Sequence, residues 1–189
     1  DLVLVFGIVC RQGIVGDPVV GQALWGYVAG ISSFFVAVLS PIFGAIADSG
    51  GPRKRWIFAF SATCITATAL LWFATPDPSS IVLAMILVII ANIGFEFGIV
   101  FNNAMLGDIV QPDRIGRWSG WAWGIGYFGG LVTLFVMLVA FIQTDSPLFG
   151  IGKEEAANIR IVGPLVAVWF AVFVIPFFLF TPDRPVSSK

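Results

Sequence analysis

Glu96 is the one acid deep inside a long apolar run that extends from Ile81 to Leu106. A carboxylate surrounded by hydrocarbon costs roughly several kcal/mol, so it faces a bundle interior, finds a partner, or takes up a proton. Low dielectric disfavours the charged form, which makes Glu96 a candidate proton carrier. Asn92 lies four residues before it, on the same face of a helix. Asn103, seven residues beyond, shares that face, while Asn102, six beyond, is rotated away. Two roles fit: a polar stripe of Glu96, Asn92 and Asn103, with Asn102 beside it, that contacts a solute or a proton, or a hydrogen-bonded latch between helices.

A second set of polar residues lies in GlyAlaIleAlaAspSerGlyGlyProArgLysArg, from Gly44 to Arg55. Gly44, Asp48 and Gly51 are spaced four and three apart and are followed by Arg53 and Lys54. Gly44 allows a neighbouring helix to approach, and Gly50 and Gly51 permit a tight reversal. Asp48 stands at the C-terminal end of its run, an unfavourable place for an anion in the helix dipole, and needs a compensating partner. Asp108, Asp113, Arg114 and Arg117 make a further charged loop. The expectation is an ion-pair network joining it to Asp48 and Arg53, with Asp48 paired to Arg114, that closes one side of the protein in one state and breaks in the other. The alternative is an ordinary solvated loop, whose exposed pairs are each worth under ~1 kcal/mol.

Several chemistries are excluded. The chain has no histidine, which removes His-based zinc sites, Ser-His-Asp triads and His proton switches. Cys10 and Cys64 sit in separate apolar runs and support neither a metal site nor a disulfide framework. Asp108 and Asp113 are five apart across a proline-containing loop with no third acid at helical spacing, so no divalent-metal cluster forms and no cofactor is expected. A net charge of −1 gives no case for nucleic acid.

The elements that carry these residues must lie in lipid. Of 189 residues, 58% are hydrophobic and 11% charged, against about 25% charged in a soluble domain. Mean hydropathy is +0.97. Crossing a bilayer takes about 20 apolar residues. Five runs qualify: 23–47, 56–74, 81–106, 118–141 and 162–180. A sixth, 1–10, is too short and opens without an initiator methionine, so it reads as the tail of a helix begun earlier; it lacks the basic flank and small-residue cleavage site of a signal peptide. The bundle is expected over 1–181, with 182–189 opening a loop. A short surface helix is expected in LysGluGluAlaAlaAsn, 153–158.

Basic residues set the expected orientation. Arg53, Lys54, Arg55, Arg114, Arg117, Arg184 and Lys189 fall on one side, and Arg11, Lys153 and Arg160 on the other. The positive-inside rule puts loops 48–55 and 107–117 and the C-terminal tail in the cytoplasm, and the loop 143–160 outside. Trp118 reads as an interfacial anchor, with Trp25 and Tyr27 in the opposite belt; Trp121 and Trp123 project to different sides of their helix. Small residues mark close-approach faces: Gly30, Ser33, Ser40 and Gly44 in one run, and Gly120, Gly124, Gly126, Gly129 and Gly130 in another.

The Gly44 to Lys54 spacing resembles the cytoplasmic loop motif of the major facilitator superfamily, Gly-x-x-x-Asp-Arg-x-Gly-Arg-Arg/Lys. Ser49 stands where the first basic residue is usual, Pro52 where the next is, and the basic pair moves one position to Arg53 and Lys54. A narrower resemblance lies in GluPheGlyIleValPheAsnAsnAlaMetLeuGlyAspIleVal (96–110) and onward to Gly130, with GlyGlnAlaLeuTrpGlyTyr (21–27) and SerProIlePheGlyAlaIleAlaAsp (40–48). These stretches are similar to the vacuole-effluxer branch of that superfamily, named for the autophagy-related vacuolar amino-acid effluxer. The resemblance implies an all-α membrane bundle of twelve helices in two halves, of which this chain is the N-terminal half with its first helix truncated. The superfamily's Arg-bearing motif in the fourth helix is absent. Of the helix-five motif Gly-x-x-x-Gly-Pro-x-x-Gly-Gly, Gly120 and Gly124 match, Ile125 replaces the proline, and Gly129-Gly130 comes one residue late.

The implied function is secondary transport of small organic solutes by alternating access, with amino-acid efflux as the family analogy. The partners are then the bilayer, a small solute, protons and the missing C-terminal half, in a bacterial inner membrane. Its rivals are a six-helix scaffold or homodimer without transport, and a membrane enzyme.

Overall fold

The computed structural model describes residues 18–49, 51–144, 150, 151 and 154–183. The expected remnant helix at 1–10, Arg11, Lys153 and the tail from Arg184 lie outside the described residues. Among the described residues, five helices are long and apolar enough to cross a membrane. They are α1 (Pro18–Asp48), α2 (Arg53–Leu70), α3 (Ile81–Ile109), α4 (Ile115–Met137) and α5 (Val162–Phe180). No strand occurs among the described residues. In hydrocarbon a helix is what an apolar segment must form, because it satisfies every backbone group within the segment. Hydroxyls follow the same rule: Ser32 Oγ donates to Val28 O at 2.8 Å, and Thr133 Oγ1 donates to Gly129 O at 2.9 Å.

Most helices run past the apolar runs that announced them, because a helix continues into charged residues where hydropathy stops. α2 begins with Arg53, Lys54 and Arg55, and α3 carries Asp108 in its last turn. α2 ends in a 3-10 turn, Leu71–Phe73, and Thr75 and Ser80 hydroxyls bond at 2.8 Å across the following turn. α4 passes into a single π-helical turn, Leu138–Ile142. In place of the short surface helix expected at 153–158, the chain takes a left-handed bend at Glu155 and Ala156 and then makes a single helical turn, Ala157–Arg160, with Asn158 buried.

The helices pack in the order α1, α3, α2, α5, with α3 between α1 and α2, and α2 between α3 and α5. Small residues on α2 make this possible: Ser61, Cys64, Ala67 and Thr68 are all buried. A Cβ added to Gly94 of α3 would lie 3.0 Å from Phe60 O and 3.2 Å from Cys64 N of α2. One added to Gly163 of α5 would lie 2.8 Å from Thr68 O and 3.3 Å from Leu71 Cβ. These two glycines are where backbones touch, and dispersion between them substitutes for the hydrophobic drive that lipid removes.

The glycines named for packing behave differently. Among the described residues nothing lies within 4 Å of a Cβ placed on Gly30, Gly44, Gly120, Gly124, Gly126 or Gly129. α4 stands apart from the row, with every residue from Trp121 to Phe128 exposed. It joins the bundle at its far end, where Met137, Phe141 and Val162 form a small core and Asn158 Nδ2 donates to Phe141 O at 3.1 Å.

Candidate functional site

Two places gather the polar residues singled out by the sequence: one end of the bundle and one face of α3.

At the end of the bundle, Arg53 is the organising side chain. It occupies the first turn of α2, an unfavourable place for a cation in that helix's own dipole, yet it is buried. Neighbouring helices supply the compensation. Its Nε donates to Ala47 O at 2.7 Å, at the C-terminal end of α1. Its Nη1 pairs with Asp108 Oδ2, in the last turn of α3. One guanidinium thus ties together α1, α2 and α3, using a helix C-terminus and a carboxylate at once. Lys54 does the same for α5: its Nζ donates to Phe178 O at 2.9 Å, one of the carbonyls a helix end leaves without an internal partner.

The wider network expected from the sequence is not what the described residues form. Asp48 is exposed, and the structure does not bring it to Arg114. The reason is helical phase. Ala47 is on the packed face of α1, and Asp48 is turned about 100° from it. On α3, Asp108 falls near the face of buried Phe101 and Met105, so it receives the arginine. The chain leaves α3 in an extended conformation at Val110, which carries Asp113, Arg114 and Arg117 outward. Arg114 pairs with its neighbour Asp113 at 3.7 Å, both about two-thirds exposed. Ser49 closes α1, its Oγ donating to Ile46 O at 2.7 Å. Gly44 and Gly51 are half-buried.

Beside the Arg53–Asp108 pair lies an aromatic layer. Trp56 and Phe101 stack at 5.5 Å, Phe43 lies 4.4 Å from Phe97, and Phe60 lies 5.5 Å from Phe97. Phe97 and Phe101 are fully buried. Offset and edge-on ring pairs add about 0.5–1.5 kcal/mol each beyond their area. This end of α1, α2 and α3 is therefore the most firmly knit part of the described bundle.

The second place is the α3 stripe. Its packed face carries Leu87, Ala91, Gly94, Phe97 and Phe101. Glu96 is about 200° around the helix from Gly94, on the opposite side. Asn92 and Glu96 are half-buried, while Asn103 and Asn102 are exposed. Asn92, Glu96 and Asn103 share one face as the spacing predicts, with Asn102 turned off it. Contacts flank the stripe at both ends: Met85 and Ile89 pack against the Val28 cluster, and Val100 and Ala104 against the Ala47–Phe101 cluster. Among the described residues Glu96 has no hydrogen-bond or ion-pair partner.

One contact had no sequence signal. Arg160 donates through Nε to Trp72 O at 2.8 Å, and its guanidinium lies 5.0 Å from the Trp72 ring centroid. It also sits 3.6 Å from Glu155. It fastens the start of α5 to the end of α2, opposite the Lys54 contact. Only the pairing of an arginine in one loop with a tryptophan at another run's end could have hinted at it. Among the described residues, no three of Cys, Asp and Glu gather as metal ligands.

Residues 9–118 and 113–189 match the family model described as vacuole effluxer Atg22 like. An uncharacterized MFS-type transporter, YxiO of Bacillus subtilis (strain 168), is 27% identical over 167 residues. The aligned region covers 88% of this chain and 38% of that relative's length. No solved structure matches.

Proposed function

The chain belongs to the vacuole effluxer Atg22-like family, and on that premise we propose that it works as a secondary transporter of small organic solutes by alternating access. Amino acids are the solutes to test first, and export is the direction. The chain spans 38% of its Bacillus relative's length, and the second wall of the transport path would come from sequence beyond residues 1–189. Residues 1–181 form the first bundle in this reading, and 182–189 open the loop that leads to the rest.

The observation that carries the reading is the α3 stripe. An ionisable group inside a membrane span is retained where it serves transport, because lipid penalises it. Glu96 and Asn92 lie half-buried, back to back with the packed face, between two zones of helix contact. That is where a polar path through the protein would pass. Glu96 holds a proton or a cargo group there, Asn92 and Asn103 bond the solute, and Asn102 stands at the edge.

The Arg53–Asp108 end is the gate in this reading. Loops 48–55 and 107–117 lie in the cytoplasm of a bacterial inner membrane, by the positive-inside rule. Arg53, Lys54 and Asp108 hold that side together in one state. Gly44, Asp48, Gly51, Arg114 and Arg117 form its solvent edge, where the remainder of the protein would meet it. Gly120, Gly124, Gly129 and Gly130 give α4 a small-residue face for a helix from that remainder.

The experiment is flux of labelled amino acids into proteoliposomes holding the full-length protein, with and without a pH gradient. Flux that the gradient drives supports proton-coupled transport. An absence of flux across the amino-acid panel removes the amino-acid assignment.

A further inference from the structure

Counting formal charge at membrane depth narrows the cargo. Between Val19 and Ala47 α1 has no charged residue, and α2 has none beyond Arg55. α4 has none beyond Arg117, and α5 has none at all. Glu96 is therefore the single Asp, Glu, Lys or Arg at depth among the described residues, and it is an acid. The buried and half-buried cations near the two ends are already engaged. Arg53 is held by Ala47 O and Asp108, Lys54 by Phe178 O, and Arg160 by Trp72 O. Each would abandon those partners to reach Glu96, which lies three turns of α3 from Asp108.

On a path through the protein, an ionised carboxylate partly shielded from bulk water attracts a cation and repels an anion more strongly than it would in free solution. The groups beside it refine the choice. Asn92, one turn away on the same face, can supply an amide carbonyl oxygen beside the carboxylate. Two carboxylate oxygens and one amide oxygen are three acceptors, matching the three N–H donors of a primary ammonium. Among the described residues, a carboxylate group on a solute finds no cationic partner on this face.

Resting on the transporter reading above, we propose that Glu96 with Asn92 forms the binding site for an ammonium group of the cargo. Solutes bearing an amine are accepted by this half of the path. Solutes whose only charge is a carboxylate are refused by it. Any carboxylate of a zwitterionic cargo must be held by residues beyond those described.

The test uses the purified full-length protein in detergent, with calorimetric titration of three four-carbon probes that carry different head groups: butylamine, butanoate and 2-aminobutanoate. Wild-type protein is expected to bind butylamine and 2-aminobutanoate and to ignore butanoate. Glu96→Gln should weaken both amines by about 10- to 100-fold, the worth of a hydrogen bond to a charged group. Glu96→Asp keeps the charge and should retain part of the affinity, with both variants melting within a few degrees of wild type. Butanoate binding as well as the amines, or amine affinity unchanged in Glu96→Gln, overturns the ammonium assignment. So does failure of wild-type protein to bind either amine, and flux of another solute in proteoliposomes would then leave the transporter reading standing without it.

Discussion

Breaking the Arg53–Asp108 pair should cost far more stability than breaking any exposed pair in the protein. The Arg53 and Asp108 side chains are 10% and 16% exposed, whereas those of Arg114 and Asp113 are 65% and 69% exposed. Removing one partner of a buried pair strands a charge and costs about 3–5 kcal/mol, against about 0.2–1 kcal/mol for an exposed pair. Arg53→Met also leaves Ala47 O without its charged donor, which places it toward the upper end of that range. Asp108→Asn keeps the shape and removes the charge, so it should fall near 3 kcal/mol, while Asp113→Asn should stay below about 1 kcal/mol. The assay is reversible unfolding of the full-length protein in mixed micelles, with Arg53→Met, Asp108→Asn and the double variant closing a cycle. A coupling energy of about 1.5 kcal/mol or more is expected between residues in direct contact. A coupling below about 0.5 kcal/mol, or an Asp108→Asn no worse than Asp113→Asn, would refute the claim that this pair knits the three helices.

Further outcomes can be checked by thermal melting of the same protein. Gly163→Ala should lower stability by about 1–3 kcal/mol, since its methyl would sit 2.8 Å from the Thr68 carbonyl and push α5 off α2. Arg160→Lys should cost about 1 kcal/mol or more, because a lysine cannot both stack on Trp72 and donate through a planar fork to its carbonyl; unchanged melting would count against that clasp. Ala156 is left-handed at φ 54°, so Ala156→Gly should raise stability by about 1 kcal/mol, and a loss would mean that this conformation is not adopted in the bilayer.

The helices were readable because lipid leaves an apolar segment of this length few other conformations. Their ends were less so: α2 starts at Arg53 and not Trp56, and α3 continues to Ile109, since charged residues extend a helix without extending its hydropathy. The face shared by Asn92, Glu96 and Asn103 followed from helical spacing alone. The partner of Arg53 did not. Asp48 and Asp108 both stand in the last turn of a helix, and only packing decides which one turns inward. The glycines show the same limit. The repeated glycines of α4 draw the eye, yet the closest backbone contacts fall at Gly94, four residues before Gly98, and at Gly163, which stands singly in its apolar run. A close approach depends on what lies opposite, and a single chain segment does not record that.

The central claim is that the α3 stripe lines an aqueous path. It is tested most directly by thiol accessibility at Asn92→Cys and Asn103→Cys, in full-length protein with Cys10 and Cys64 replaced by alanine and oriented in proteoliposomes. A membrane-impermeant maleimide should label both positions from water, and a transported solute should change the rate and the side from which labelling is fastest. Cysteines that resist the reagent from both sides, while a lipid-soluble maleimide labels them readily, would place the stripe against lipid and contradict the account.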